Sequence, residues 1–328
     1  MSADGGTTTK LFFREAIARA MREEMQRDPR LMLLGQDVGA FGGPYREFEG
    51  LHGAFGGRRV RDMPVAENAM VGMGIGAAAA GARTLVSITY MDFLMLALDP
   101  LVNYGAKLRY KTGGQLHAPV VVKTTAGAKG QGVAHSQCIE AWLMGVPGLK
   151  VVAPSTAADA YGLLKAALRE EGPVLYIDHK RLFPTAGHVP VEEAVTPIGI
   201  ARLAREGHTV TLASHSYMML PTLAAAEELA AEGISCEVID LRSLAPLDME
   251  MISRSASKTG ALVTVEEGQL TCGVGAEIAF RTQEMIGAIR VARVGAQAAP
   301  VSSNPVLEAA IVPDAARIAD AVRGVLKA

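Results

Sequence analysis

The sequence predicts an α/β fold with two doubly wound domains, and three observations predict it. Short apolar runs rich in Val, Leu and Ile recur along the chain, each about the length of a strand. Segments with apolar residues at helical spacing separate them, which argues for parallel sheets covered on both faces. The 328 residues suit two domains of ordinary size, and the alternation breaks once, between Pro184 and Thr196.

In chain order, residues 1–9 read as a loose tail. Leu11 to Met25 carries Leu11, Ile17, Ala18, Met21 and Met25 at helical spacing. Leu31 to Gly35 is a short buried strand that stops at glycine, and the Gly-rich stretch 36–61 reads as loop. From Glu67 to Gly81 small and apolar residues make a tightly packed helix. Thr84–Thr89 is a strand, Phe93–Lys107 a helix, and Pro119–Thr124 a strand. A Gly-rich loop, Thr125–Val133, then delivers His135. Leu149–Ala153, Ala157–Glu170 and Val174–Ile177 read as strand, helix and strand. The first domain is placed at 1–185, a linker at 186–197 and the second domain at 198–328. Strands in the second domain are expected at Thr209–Ala213, Cys236–Asp240, Ala261–Glu266 and Arg290–Val294. Helices are expected at Tyr217–Gly233, Asp248–Thr259, Ala276–Glu284 and Asp314–Leu326.

Apolar residues make up 49% and charged residues 20%, the balance of a globular protein with a large core. The net charge of −2, with no basic run, gives no electrostatic case for nucleic acid or an anionic membrane. The three cysteines, Cys138, Cys236 and Cys272, are scattered and form no CxxC. That pattern points to a reducing compartment and away from a disulfide scaffold or a zinc site. Met1 to Thr9 has no apolar stretch of signal-peptide type, and no run reaches the roughly 18 apolar residues of a membrane span. A cytoplasmic protein is the simplest expectation.

Several familiar motifs can be weighed and set aside. Gly72-Met73-Gly74-Ile75-Gly76-Ala77 reads almost as GxGxxA, yet the residues before it do not read as a strand, and the next acidic residue after Glu67, Asp92, lies beyond the following strand. A small-residue helix face that lets another helix approach closely is the preferred reading. HExxH, GxSxG and GxxxxGK[ST] are absent. Chemistry concentrates instead between Asp62 and Gln137, where Glu67, Phe93 and His135 stand in an otherwise apolar, Gly-rich setting. A carboxylate, an aromatic and an imidazole suit an organic cofactor with a ring nitrogen to hydrogen-bond and a face to stack. Glu67 reads equally as an ordinary helix-start carboxylate and as a buried acid facing a cofactor, since its near neighbours carry no other charge. His135 lies on a Gly-rich loop after a strand, where α/β sites gather. His179 and His215 have weaker contexts.

Several blocks then occur in order: Asp62-Met63-Pro64-Val65-Ala66-Glu67, Asp92-Phe93, Ala106-Lys107, His135-Ser136-Gln137, Pro147 to Val152, and Cys236 to Asp248. Together they closely resemble the beta subunit of the thiamine-dependent decarboxylating component of 2-oxo acid dehydrogenase complexes. Asp92-Phe93-Leu94 and Leu101-Val102-Asn103 look most like the acetoin-cleaving branch. The resemblance implies a transketolase-type pyrimidine-binding domain followed by a transketolase C-terminal domain. It also implies thiamine diphosphate shared with an alpha subunit, which holds the diphosphate and Mg²⁺ through a GDG…N motif. This sequence contains no Gly-Asp-Gly. An α2β2 assembly and a lipoyl acyltransferase core follow as implied partners.

By the same resemblance Glu67 matches the glutamate that hydrogen-bonds N1′ of the aminopyrimidine, and Phe93 matches the aromatic beside that ring. His135 matches an active-site histidine tied to proton transfer or acyl transfer. The backbone oxygens of Val120, Ala167, Leu168, Glu170 and Gly172 align with a structural potassium site of some relatives. Ala134, Ser87, Pro100 and Pro300-Val301-Ser302-Ser303 depart from the family pattern. These departures leave the cofactor chemistry in place and bear on substrate and on transfer to a lipoyl carrier. The implied function is cleavage of a C–C bond next to a carbonyl, with the acyl group passed to lipoamide. A split transketolase-like enzyme with a non-lipoyl acceptor and a non-catalytic scaffold subunit are the alternatives.

Overall fold

A computed structural model describes residues 7–327. They form two compact units: residues up to Ala126 together with Gly145–Ile198, and Gly127–Met144 together with Gly199 onward. The tail expected at 1–9 lies mostly outside the described residues, and its last two residues open a strand.

In the first unit the chain runs β1 (Thr8–Phe12), α1 (Phe13–Arg27), β2 (Leu31–Gly35), α2 (Leu51–Phe55), β3 (Val60–Asp62), α3 (Glu67–Ala79), β4 (Arg83–Ile88), α4 (Met91–Leu94), α5 (Leu108–Lys111) and β5 (Val120–Ala126). After α6 (Ala141–Met144), which belongs to the second unit, come β6 (Lys150–Val152), α7 (Ala157–Arg169), β7 (Val174–His179) and β8 (Ala186–Pro190). The large sheet of this unit is parallel, in the order β6-β7-β5-β4-β2-β3. β5, Val-Val-Val-Lys-Thr-Thr-Ala, is buried along its whole length, as a β-branched strand at the centre of a doubly covered sheet should be. α1 turns Phe13, Ile17, Ala20, Met21 and Met25 inward at helical spacing and packs on α7. Thr156 caps α7 by accepting from the Asp159 N–H at 3.1 Å.

Several short elements escape a periodicity reading. β1 and β8 form a separate antiparallel pair, so residues 186–190 of the expected linker are structured. α2 and β3 lie inside the expected loop 36–61. The expected helix 93–107 is broken into the end of α4, a 3₁₀ turn (Met95–Ala97) and a π-helical turn (Asp99–Gly105), with α5 following. Buried Pro100 supplies the reason, since it has no N–H to give an α-helical ladder.

The second unit runs β9 (Arg202–Arg205), β10 (Val210–Ser214), α8 (Met219–Ala231), β11 (Cys236–Asp240), β12 (Ser243–Ala245), α9 (Met249–Thr259), β13 (Ala261–Gln269), α10 (Val274–Ile286), β14 (Arg290–Ala296), α11 (Pro305–Ile311) and α12 (Ala315–Lys327). Its five-stranded sheet has the order β14-β13-β10-β11-β9, parallel except for β9. α8 and α12 close one core over Leu212, Val238, Val263 and Ile318, and α9 and α10 pack on each other and on the sheet. Segment 127–144, which carries His135, groups with this unit although the sequence places it in the first domain. Among the described residues no helix is long and apolar enough to cross a membrane.

Candidate active site

Three strand ends in the first unit build the corner that holds Glu67. β2 lies between β3 and β4, with Gly35 in register with Asp62 on one side and Ser87 on the other. A Cβ on Gly35 would stand 2.8 Å from Val38 Cγ1 and 2.9 Å from the Ser87 carbonyl oxygen, so only glycine lets the three strands end this close together. The chain then leaves β2 through Gln36, β3 through Met63 to Ala66, and β4 through Thr89 and Tyr90. Carboxyl ends of parallel strands are where α/β folds place their ligands.

Glu67 is the first residue of α3 and is buried, 4% exposed. Its Oε1 accepts from Gln36 Nε2 at 3.2 Å, and Gln36 Oε1 in turn accepts from Thr89 Oγ1 at 3.3 Å. Among the described residues nothing donates to Glu67 Oε2 and no cation pairs with this carboxylate. α3 is held to the sheet through Gly74, where a Cβ would lie 2.5 Å from Val86 Cγ2. The small-residue face expected to admit a helix therefore meets strand β4 at this point. Asn68, next to Glu67, donates to the Leu96 carbonyl at 3.3 Å and ties α3 to the turn after α4.

Phe93, half-buried on α4, meets Tyr90 edge-to-face with ring centroids 6.1 Å apart. The buried ammonium of Lys180 sits 5.1 Å over the Tyr90 ring. Glu67 opens α3 and Phe93 lies on α4, which follows the strand β4 that α3 packs against. Val65, Met95 and Leu96 are exposed, Val65 by 79%. A run of exposed apolar side chains beside a buried carboxylate is the kind of surface a partner covers.

His135 is half-buried in the second unit, its N–H bonded to the Gly132 carbonyl at 3.2 Å. The same segment lines a cavity of about 420 Å³ together with Glu140, Trp142, Glu266, Cys272 and Val301. Of the pair beside it, His215 stood in the sequence as a candidate of weaker context, and Glu140 was missed. Buried Glu140 Oε1 meets buried His215 Nε2 at 3.0 Å. Burial alone would pull the His215 pKa down, but the bond to Glu140 and the charges of Glu140, Glu266 and Asp240 reverse this, and it ends above its ordinary value. Burial pushes the Glu266 pKa up, against the N–H groups of Val274 and Gly275 at the start of α10, each 2.9 Å from a carboxylate oxygen.

Of the expected potassium ligands, the Leu168 and Glu170 carbonyls both accept from Arg83 Nη1, at 3.1 and 2.8 Å. Asp28 and Glu171 flank the same guanidinium. The cation those two carbonyls meet in this structure is the Arg83 guanidinium. Gln36 and Thr89, which hold Glu67, were missed in the sequence because a polar pair has no periodicity and lies between strands.

A parallel sheet with a buried, unpaired glutamate at its carboxyl edge, joined in sequence to a second doubly wound unit, defines a transketolase-type protein. Residues 9–185 match the transketolase pyrimidine-binding domain and residues 199–318 the transketolase C-terminal domain. The chain belongs to the transketolase family, in the branch of dehydrogenase E1 beta subunits. It is 41% identical over 317 residues to the pyruvate dehydrogenase E1 component subunit beta of Rhizobium meliloti, covering 95% of this chain and 69% of that one. It is 38% identical over 332 residues to the beta subunit of acetoin:2,6-dichlorophenolindophenol oxidoreductase of Cupriavidus necator, covering 97% and 98%. Among solved structures, a split-gene transketolase, described as an inactive beta4 tetramer, superposes with a TM-score of 0.79 at 26% identity over 96% of this chain and 98% of the other.

Proposed function

We propose that this chain is the beta subunit of a thiamine diphosphate-dependent 2-oxo acid or acetoin dehydrogenase, acting with an alpha subunit in an α2β2 assembly. One observation carries the reading: the Glu67 carboxylate is buried with one oxygen held by a neutral amide and the other without a hydrogen bond to a described residue. That second oxygen is not sealed inside the protein and stays accessible to a donor on a ligand. The donor it lacks is what a protonated ring nitrogen of an aminopyrimidine offers.

Thiamine diphosphate, when bound, supplies the electron sink for cleaving a carbon–carbon bond next to a carbonyl. Glu67 holds the proton at N1′ and so sets the tautomer of the ring. Phe93 lends an aromatic wall, and its neighbour Tyr90 is fixed beneath Lys180. His135 serves proton or acyl transfer to the acceptor, lipoamide on an acyltransferase core. The alpha subunit brings the diphosphate and Mg²⁺ ligands, and it covers the exposed Val65 and Leu96. Potassium is not part of this proposal. The three cysteines, none of them in a disulfide, fit a reducing, cytoplasmic setting.

The split site is tested by calorimetry. This chain alone binds thiamine diphosphate and Mg²⁺ poorly, and adding the alpha subunit restores tight binding. Tight binding by the isolated chain overturns the reading. Turnover without any lipoyl acyltransferase favours the split-transketolase alternative.

A further inference from the structure

We propose that Gln36 is a positioning residue for Glu67, its amide oriented by Thr89. The inference rests on Glu67 being the carboxylate that meets the cofactor ring. It goes beyond that reading in naming what aims the carboxylate.

The geometry contains its own proof of direction. An ionised carboxylate only accepts hydrogen bonds, so the Gln36 atom facing Glu67 Oε1 at 3.2 Å must be the amide nitrogen. The amide oxygen then faces Thr89 Oγ1 at 3.3 Å, and the hydroxyl must donate. With the amide reversed, two oxygens would confront each other at Glu67. The three groups therefore have one consistent polarity, Thr89 to Gln36 to Glu67. Each comes from a different strand end, β4, β2 and the loop after β3, so the relay also reads the relative placement of the strands.

The relay has two consequences. It occupies Oε1 and leaves Oε2 as the oxygen for the ring nitrogen. It also does so with a neutral donor. A lysine or arginine in place of Gln36 would bind the carboxylate as an ion pair and compete with the ring for it. A neutral amide fixes the carboxylate while leaving its charge available. Gln36 is only partly buried and Thr89 likewise, so either can be altered without opening the core.

The test uses the enzyme assembled with its alpha subunit, loaded with thiamine diphosphate and Mg²⁺. It reads three quantities: hydrogen exchange at C2 of the cofactor by NMR, cofactor affinity by calorimetry, and the thermal midpoint. Gln36→Leu keeps the bulk and removes the donor. It slows exchange about tenfold, typical of a carboxylate that is present but loosely aimed, with affinity changed less than about threefold and the midpoint nearly unchanged. Gln36→Glu, whose carboxyl can donate an O–H when it holds a proton, exchanges faster than Gln36→Leu. Thr89→Val slows exchange less than Gln36→Leu and adds nothing in the Gln36→Leu background, because groups acting in series do not add. Wild-type exchange in Gln36→Leu overturns the inference, as does Gln36→Glu falling equally far or Thr89→Val adding its full effect. Glu67→Gln run alongside separates the two levels. If it leaves exchange unchanged, the assignment of Glu67 fails. If it slows exchange while Gln36→Leu does not, only the relay fails.

Discussion

Asp178 and Glu67 are both buried carboxylates near the carboxyl ends of strands in one parallel sheet, and the fold treats them differently. Asp178, at the end of β7, is matched by Lys123 Nζ at 2.8 Å, and the same ammonium reaches Glu47 at 3.2 Å. Burial alone would lower the Lys123 pKa; the charges of Asp178 and Glu47 reverse that and hold it above the ordinary value. Phe48 and Phe183 lie within 5.6 Å of the ammonium and complete a closed structural cluster. Among the described residues Glu67 meets no such cation; its carboxylate accepts from the neutral Gln36 amide, and Val65, two residues before it, and Leu96, tied to α3 through Asn68, are exposed. A buried acid with its counter-charge on the same chain belongs to stability. A buried acid whose complement is missing belongs to a ligand or a partner.

That contrast can be broken by substitution. Lys123→Met removes the cation between Glu47 and Asp178 and leaves two buried carboxylates uncompensated, which costs about 3–5 kcal/mol. Denaturant unfolding shows the loss, and a midpoint near wild type contradicts the structural reading of this cluster. Glu67→Gln has the opposite signature. It removes a buried charge, so the thermal midpoint holds or rises, while C2 exchange in the assembled enzyme falls on the order of 10²-fold. Destabilisation by Glu67→Gln comparable to that of Lys123→Met erases the distinction.

His135→Ala sharpens it in the other unit. If His135 serves acyl transfer, cleavage read with an artificial electron acceptor survives while NADH formation by the complete complex falls about tenfold or more. Equal losses place it at the first chemical step. No loss in either assay makes it structural.

The smallest effect concerns His215. Its folded pKa lies above the ordinary value of 6.5, so the folded state binds the proton more tightly than the unfolded one. The resulting stability is fully present below about pH 6.5 and is lost as pH rises through the folded pKa. The thermal midpoint therefore declines on that rise, and His215→Gln flattens the decline. A midpoint that climbs with pH over the same window contradicts the Glu140–His215 pairing.

The sequence by itself determined the α/β class and the alternation in both units, and it singled out Glu67, Phe93 and His135 as candidate site residues. Those features are carried by local pattern: β-branched runs such as Val120 to Val122, helical spacing in α1, and motif blocks in order. Only the tertiary structure decided where the polar partners fall. Gln36 and Thr89 lie 53 residues apart and meet because β2 and β4 are neighbours in the sheet. Glu140 and His215 lie 75 apart, and Lys123 joins Glu47 across 76. Hydrogen bonds and ion pairs between distant residues leave no periodic trace in a sequence, because their geometry is set by strand order and register. Grouping residues 127–144 with the second unit, and breaking the helix at Pro100, were likewise settled by packing and by one missing N–H, which the apolar pattern does not encode.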